Sequence, residues 1–413
     1  MTAASGTAPN SHVAATAYAG RQIASARILG RSLRETNPLL PFKALATEAL
    51  DERLDEASEP FEQVGMESLE IPRLRNLRFR YGPVSLSYAL TPFLLRHLLE
   101  GGAGAVLFLK QESLVVGDLT PLFERLRFSS ILLTPHLVAP LSGLDASRRE
   151  REVMLAGTYN CGVLGVAGTS AARRFLDWWC DRLELGCRHD VAAGMHFEQR
   201  WLDLVPAFFD GVEIVRDPGA NVGHWCLPER RFEVAGAEVR VDGEPARVLR
   251  FSGFDPARPD RVTRHSDRLS TEALGPGKAV FEEYRRRWVE AGGPAPPETP
   301  ETFDNATAIP DIVRLVYQGL GMDVARFGDP YSTAHAGCLF DWLRAPVDEP
   351  SPGFPHVSNL WHGVWNLRSD LRHAFPEPLG SDRSLFAGWT LSTGRFEHSV
   401  PHNLAAVRSE NGA

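Results

Sequence analysis

Gly101-Gly102-Ala103-Gly104-Ala105-Val106-Leu107-Phe108-Leu109-Lys110-Gln111-Glu112-Ser113-Leu114-Val115-Val116 is the stretch on which the fold turns. The glycines mark a turn, and Ala105–Leu109 is a short apolar run that reads as a buried strand. A charged cluster, Lys110 and Glu112, then stands where that strand should end. In open α/β sheets the carboxyl edge of the strands is the usual ligand side.

Working outward, the same alternation recurs. Val13–Ala17 reads as a first strand, followed by an amphipathic helix from about Gly20 to Thr36, with Asn37-Pro38 ending it. Phe42–Ala46 is a weaker second strand. A helix is expected over Ser85–Glu100, strands over Ser130–Leu133 and Val163–Val166, a helix over Ala171–Leu185, and a late strand over Val248–Phe251. Strands alternating with helices predict βαβ units and a parallel sheet. Gly292–Pro300, rich in proline and glycine, reads as a linker. Helical patterns at Ile309–Gly319, Leu339–Leu343 and Leu385–Leu391 follow it. The expected organisation is a disordered leader over 1–12, a large α/β domain over 13–291, the linker, and a helical region over 301–413.

Composition bounds the function classes. The chain has 413 residues, 43% hydrophobic and 23% charged, as in an ordinary globular protein. A formal net charge of -8 argues against nonspecific nucleic-acid binding. No apolar run of ~18 residues predicts a membrane span, and the N-terminus lacks a secretory pattern, so a cytoplasmic location is expected. The five cysteines, Cys161, Cys180, Cys187, Cys226 and Cys338, form no CxxC pair, which excludes an obvious zinc or disulfide framework. Lysine occurs only at Lys43, Lys110 and Lys278.

Several ordered blocks carry a family resemblance. They are Phe108–Val116, Leu133–His136, Ala156–Val163, Arg174–Trp179, Phe197–Pro206, Arg216–Val222, Arg250–Pro256 and Asp370–Pro378. Together they resemble a family of bacterial GT-A glycosyltransferases of capsule and natural-product clusters, over nearly the whole chain. The resemblance implies a GT-A-like, Rossmann-like mixed sheet flanked by helices, with a C-terminal helical extension. It implies a reaction moving a sugar from a nucleotide-sugar co-substrate to a small-molecule or glycan acceptor, with retention of configuration in the histidine-bearing relatives. In those relatives two acids and a histidine hold a divalent cation; the matching positions here are Lys110, Glu112 and Arg250. Two permanent cations cannot ligate a hard cation, which wants oxygen donors, so no divalent metal is expected.

The resemblance places Thr16, Lys110, Glu112, Arg250, Ser252 and Gly253 on the nucleotide side. It places His136, Asn160, Gly162 and Arg200 on the sugar and acceptor side, with Glu198 and Gln199 as the catalytic pair. Lys110 and Arg250 can stand in for the cation, because fixed positive groups stabilise a departing diphosphate. Ala46-Thr47-Glu48 and Thr91-Pro92 depart from the family pattern around the nucleoside. Trp178, Trp179 and Trp201 read as packing first, and Asn221 and His224 as turn residues. The alternatives are a catalytically inactive pseudo-glycosyltransferase that binds or scaffolds a partner enzyme, and a GT-A-derived enzyme running another reaction. A homo-oligomer is compatible with either.

Overall fold

The computed structural model describes residues 11–48, 58–294 and 300–405. Most of the expected leader, and residues 295–299 of the expected linker, lie outside the described residues. The chain divides into two compact units, one of Met1–Ile71 with Pro83–Pro297, the other of Pro72–Gly82 with Glu298–Ala413.

The first unit is built on a seven-stranded sheet. Its strands are β1 (His12–Tyr18), β2 (Phe42–Ala46), β3 (Glu62–Val64), β4 (Ala105–Leu109), β6 (Ile131–Pro135), β7 (Tyr159–Ala167) and β8 (Val212–Ile214), with β5 (Ser113–Val115) outside it. The order across the sheet is β8-β6-β7-β4-β1-β2-β3. All neighbours are parallel except β7, which runs antiparallel to both β4 and β6. The α/β alternation alone predicts an all-parallel sheet. The mixed sheet flanked by helices is what forms, because β6 turns back through a helix (Ala146–Ala156) onto the opposite direction. β4, β1, β6 and β7 are buried along nearly their full length, as the near-continuous apolar runs require.

The helix α1 (Ile23–Thr36) buries Ala24, Ala26, Ile28, Leu29 and Leu33. It stops at Asn37, whose successor Pro38 disfavours the helical conformation before it. The expected helix over 85–100 is two: α2 (Leu74–Ala89) and α3 (Thr91–Glu100). Within α2 the backbone breaks at Gly82 (φ 62, ψ 172), immediately before Pro83. Only glycine accepts that conformation without strain, and proline cannot donate to the preceding turn. The helix α4 (Ser170–Gly186) starts at Thr169, whose hydroxyl accepts the Ala172 N–H. Trp179, Phe175 and Leu183 on its inner face are fully buried.

The late strand β9 (Val248–Arg250) pairs antiparallel with β5, setting Arg250 opposite Ser113. The second unit is helical, with its own core of Phe79, Phe303, Tyr317, Phe327, Trp361 and Phe386, among others. The first half of α2 belongs to this unit. The Arg314 guanidinium donates to the carbonyls of Arg78 (3.1 Å) and Phe79, and Gln318 donates to that of Arg80 at 2.7 Å. Those are the carbonyls a helix end leaves without partners. No described helix is long and apolar enough to cross a membrane.

Candidate functional site

The topology brings Lys110, His136 and Asn160 to one sheet edge. β4 and β6 end there, and the antiparallel β7 begins there. The ladder between β6 and β7 is irregular: Leu133 faces Leu164, but Thr134 faces Asn160. Cys161, Gly162 and Val163 are therefore extra residues on β7, a bulge that re-aims the strand at this edge. Thr134 staples it, its hydroxyl 2.8 Å from the Val163 carbonyl and accepting the Asn221 amide at 2.7 Å. On the other side Lys110 N–H donates to the Gly162 carbonyl at 3.0 Å.

Two ion pairs meet at the bulge. Lys110 Nζ donates to Glu198 Oε1 at 2.7 Å, and Arg250 Nη2 to Glu112 Oε1 at 2.8 Å. The Glu198 and Arg250 side chains are only 1% and 2% exposed, and their partners Lys110 and Glu112 14% and 19%, so each pair is buried at one end and partly exposed at the other. Burial works against the Lys110 charge, but the Glu198 carboxylate, helped by Tyr88 and Glu112, outweighs it and raises its pKa. Burial likewise pushes Glu112 up, and the Arg250 and Lys110 charges outweigh that and hold it below the usual carboxylate range. Removing one partner of such a pair leaves a buried charge uncompensated.

Asn160 ties this layer together. Its Oδ1 accepts from Gly162 N (2.8 Å), Asn221 Nδ2 (3.1 Å) and Arg250 Nη1 (3.3 Å). Its Nδ2 lies 3.0 Å from His136 Nε2, so that nitrogen is the acceptor and the ring proton sits on Nδ1. Burial lowers the His136 pKa to about 4, keeping the ring neutral. Gly162 is required sterically: a Cβ there would overlap Arg250 Nη1 and sit 2.5 Å from Arg250 Cζ.

Polar atoms at this edge are left over. Among the described residues Glu112 Oε2, Glu198 Oε2, Asn221 Oδ1 and Arg250 Nε are buried with no hydrogen-bond partner. All four belong to residues of the same network, and clustered orphans of this kind point to a polar ligand or water.

The expected residues divide. Lys110, Glu112, Glu198, Arg250, Asn160, Gly162 and His136 converge. Gln199 adjoins them, its Oε1 accepting Cys161 N–H and its Nε2 donating to the Ala156 carbonyl, both at 3.0 Å. Thr16 is buried in β1 with its hydroxyl unpartnered. Ser252 and Gly253 lie in the loop after β9, where the Ser252 carbonyl accepts Thr263 Oγ1 at 2.8 Å and Gly253 has φ 73. Arg200 pairs with its neighbour Asp203. Trp178 packs against Trp201, Phe208 and Phe209, and Trp179 is core.

Glu112 is the partner of Arg250, and Glu198 that of Lys110, so the four charges form two pairs. Residues not foreseen at the site are Tyr88, whose ring centroid lies 3.9 Å from Lys110 Nζ, and Trp225, 6.0 Å from the Arg250 guanidinium. Neither carries a charge or a motif that would single it out in the sequence. No group of three or more His, Cys, Asp or Glu side chains among the described residues is placed to hold a metal ion.

No protein-family model matches the chain. It is similar to YfnF of Bacillus subtilis (strain 168), an uncharacterized protein, at 26% identity over 195 residues, 46% of this chain and 64% of that one. The chain thus spans a little under two thirds of YfnF's length. YfnD of the same organism, also uncharacterized, is 23% identical over 261 residues, 60% of this chain and 79% of its own.

Its neighbours among solved structures are glycosyltransferases of the GT-A type. The galactosyltransferase LgtC, bound to donor and acceptor sugar analogues, is 18% identical with a TM-score of 0.41, covering 70% of this chain and 98% of that one. GlyE of Streptococcus pneumoniae TIGR4 is 15% identical with a TM-score of 0.40, covering 74% and 72%. At these scores the likeness carries nothing about donor, acceptor or mechanism.

Proposed function

We propose that the protein is a glycosyltransferase that moves a sugar from a nucleotide-sugar donor to a small-molecule or glycan acceptor, with protein cations in place of a divalent metal. The observation that carries the reading is the group of orphaned polar atoms on a buried layer holding two cations at a sheet's carboxyl edge. The donor set itself argues against a hard cation. Lys110 and Arg250 offer no lone pair, and Glu112 already serves Arg250.

In this reading Lys110 and Arg250 face the diphosphate, whose charge grows as the anomeric C–O bond breaks. Arginine's fork suits two phosphate oxygens, and its Nε is free to donate. Asn160 and His136 hold the sugar side. A bond forms from the anomeric carbon to the acceptor oxygen as the anomeric C–O bond to the diphosphate breaks, and Glu198 Oε2, a buried acceptor without a partner, takes that oxygen's proton. Gln199 fixes the segment carrying Glu198 against the β7 bulge.

A second reading has a specific observation in its favour. Each cation already has a carboxylate partner, so a non-catalytic relative could keep the four charges as a self-neutralised cluster.

Calorimetry with UDP, GDP, ADP and dTDP sugars, with and without EDTA, separates the two. Binding unaffected by EDTA, and weakened at least tenfold in Lys110→Ala, supports the metal-free transferase. Silence towards every nucleotide supports the scaffold, and manganese-dependent binding overturns the cation-replacement idea.

A further inference from the structure

Lys110 has an aromatic neighbour that no charge or motif announces. Its ammonium sits 3.9 Å from the centroid of the Tyr88 ring, on the second half of α2, within reach of the ring's negative face. The same ring meets Phe197 edge-on, at 5.1 Å and 72°. Phe197 immediately precedes Glu198, the lysine's ion-pair partner. Tyr88 therefore touches the lysine directly and the carboxylate through one residue.

Phe197 is held in an unusual state. Its φ is 47°, a region aromatic residues rarely enter. Such strain persists where the surroundings over-determine it. Here the Phe197 N–H donates to the Arg188 carbonyl at 2.8 Å, and its ring lies against His189 and His196 at 5.3 and 5.6 Å. On the far side of Glu198, Trp179 Nε1 donates to the Glu198 carbonyl at 3.2 Å. The backbone of Glu198 is thus fixed from both sides, and Tyr88 is a ring shared by that arrangement and the Lys110 head.

We propose that Tyr88 is a positioning residue, its ring setting the separation of Lys110 and Glu198 and so the relation between diphosphate and acceptor. The functional half of this inference rests on the roles given to those two residues above. The ring does the work, not the hydroxyl, so Tyr88→Phe should behave as wild type and Tyr88→Leu should not.

The chain's composition supplies a direct test, because lysine occurs only at Lys43, Lys110 and Lys278. In protein labelled with ¹³C-lysine, the Lys110 side-chain signal is expected upfield of the other two, displaced by the ring current of Tyr88. It should stay there in Tyr88→Phe and join the other two in Tyr88→Leu. Turnover with the donor found by calorimetry should fall about 10–100-fold in Tyr88→Leu, more in kcat than in KM, and less than threefold in Tyr88→Phe.

A wild-type Lys110 signal lying with those of Lys43 and Lys278 overturns the inference without any variant being made. So does an upfield signal that survives in Tyr88→Leu, or a Tyr88→Phe variant as slow as Tyr88→Leu. Failure of the transferase reading looks different: a displaced Lys110 signal that no nucleotide sugar moves.

Discussion

Gly162→Ala isolates the close approach on which the site's charge layer depends. Gly162 has a backbone conformation open to L-residues, so alanine adds a methyl group and nothing else. With room to spare, that change inside a strand would stabilise by roughly 0.5–1 kcal/mol through lost freedom in the unfolded chain. There is no room. The new Cβ overlaps Arg250 Nη1 and stands 2.5 Å from Arg250 Cζ and from Asn160 Oδ1.

The β7 backbone cannot retreat easily, since it is held by β4 through Lys110 N–H and by β6 through Thr134. The guanidinium must move instead, parting a side chain only 2% exposed from its Glu112 partner, a loss of about 3–5 kcal/mol. Electrostatic loss outweighs entropy, and a net destabilisation of about 2–4 kcal/mol is expected. Urea unfolding followed by tryptophan fluorescence reads it.

Gly165→Ala on the same strand is the control, the atoms nearest its Cβ being side-chain carbons of Leu126 and Leu132 at 3.1 Å rather than a charged group. The penalty at Gly162 should also shrink in an Arg250→Met background, which removes the overlap with the guanidinium and leaves the approach to Asn160 Oδ1. A Gly162→Ala protein as stable as wild type, or an equal cost with Arg250 removed, refutes the reasoning.

Glu112→Gln should destabilise by about 3–5 kcal/mol at pH 7, because it strands Arg250. Arg250 and Lys110 outweigh burial and depress the folded-state pKa of Glu112, so its contribution is present above the unfolded value and lost as pH falls through the folded one. Urea curves at pH 7 and below pH 4 should therefore show the variant's penalty shrinking with acidity. His136, lowered to about 4 by burial, is neutral when folded and charged when unfolded below its ordinary value of 6.5. Wild-type stability should then fall by up to about 3 kcal/mol between pH 6.5 and 4, and His136→Gln should flatten that fall. Arg314→Met strips the Arg78 and Phe79 carbonyls of their buried cap, and a loss of about 2–3 kcal/mol in the second unit is expected by denaturation.

The parts of the fold that were legible are those where burial writes itself into composition. β1, β2 and β4 fall within a residue of their expected bounds and α1 within three, because apolar residues dominate the strands and the helix keeps its period. The helix Ala146–Ala156 was not legible: of its eleven residues, Arg149 is the buried one, so it carries no apolar stripe. β3 is three residues long, Glu62–Val64, with only Val64 buried, too short for a period to show. At the site, Lys110, Glu112 and Arg250 were found because charge at a buried strand end is anomalous. Their pairing was not legible, since it depends on the β5–β9 register and on the path that delivers Glu198 from the other side. Tyr88 escaped because a tyrosine in a helix looks like any packing residue until the lysine is seen over its face.

The second unit's discontinuity has a consequence during synthesis. Pro72–Gly82 leaves the ribosome about 200 residues ahead of the helices it packs with, which at about 5–20 residues per second is a delay on the order of 10–40 s. Phe79, fully buried in the finished protein against Phe303 and Tyr317, lacks those neighbours for that interval. Chaperone occupancy on stalled nascent chains should accordingly be higher when translation halts before Glu298 than after the last helix emerges. Expressing either unit as a separate fragment cut at the proline-rich stretch would leave that helix in the wrong piece.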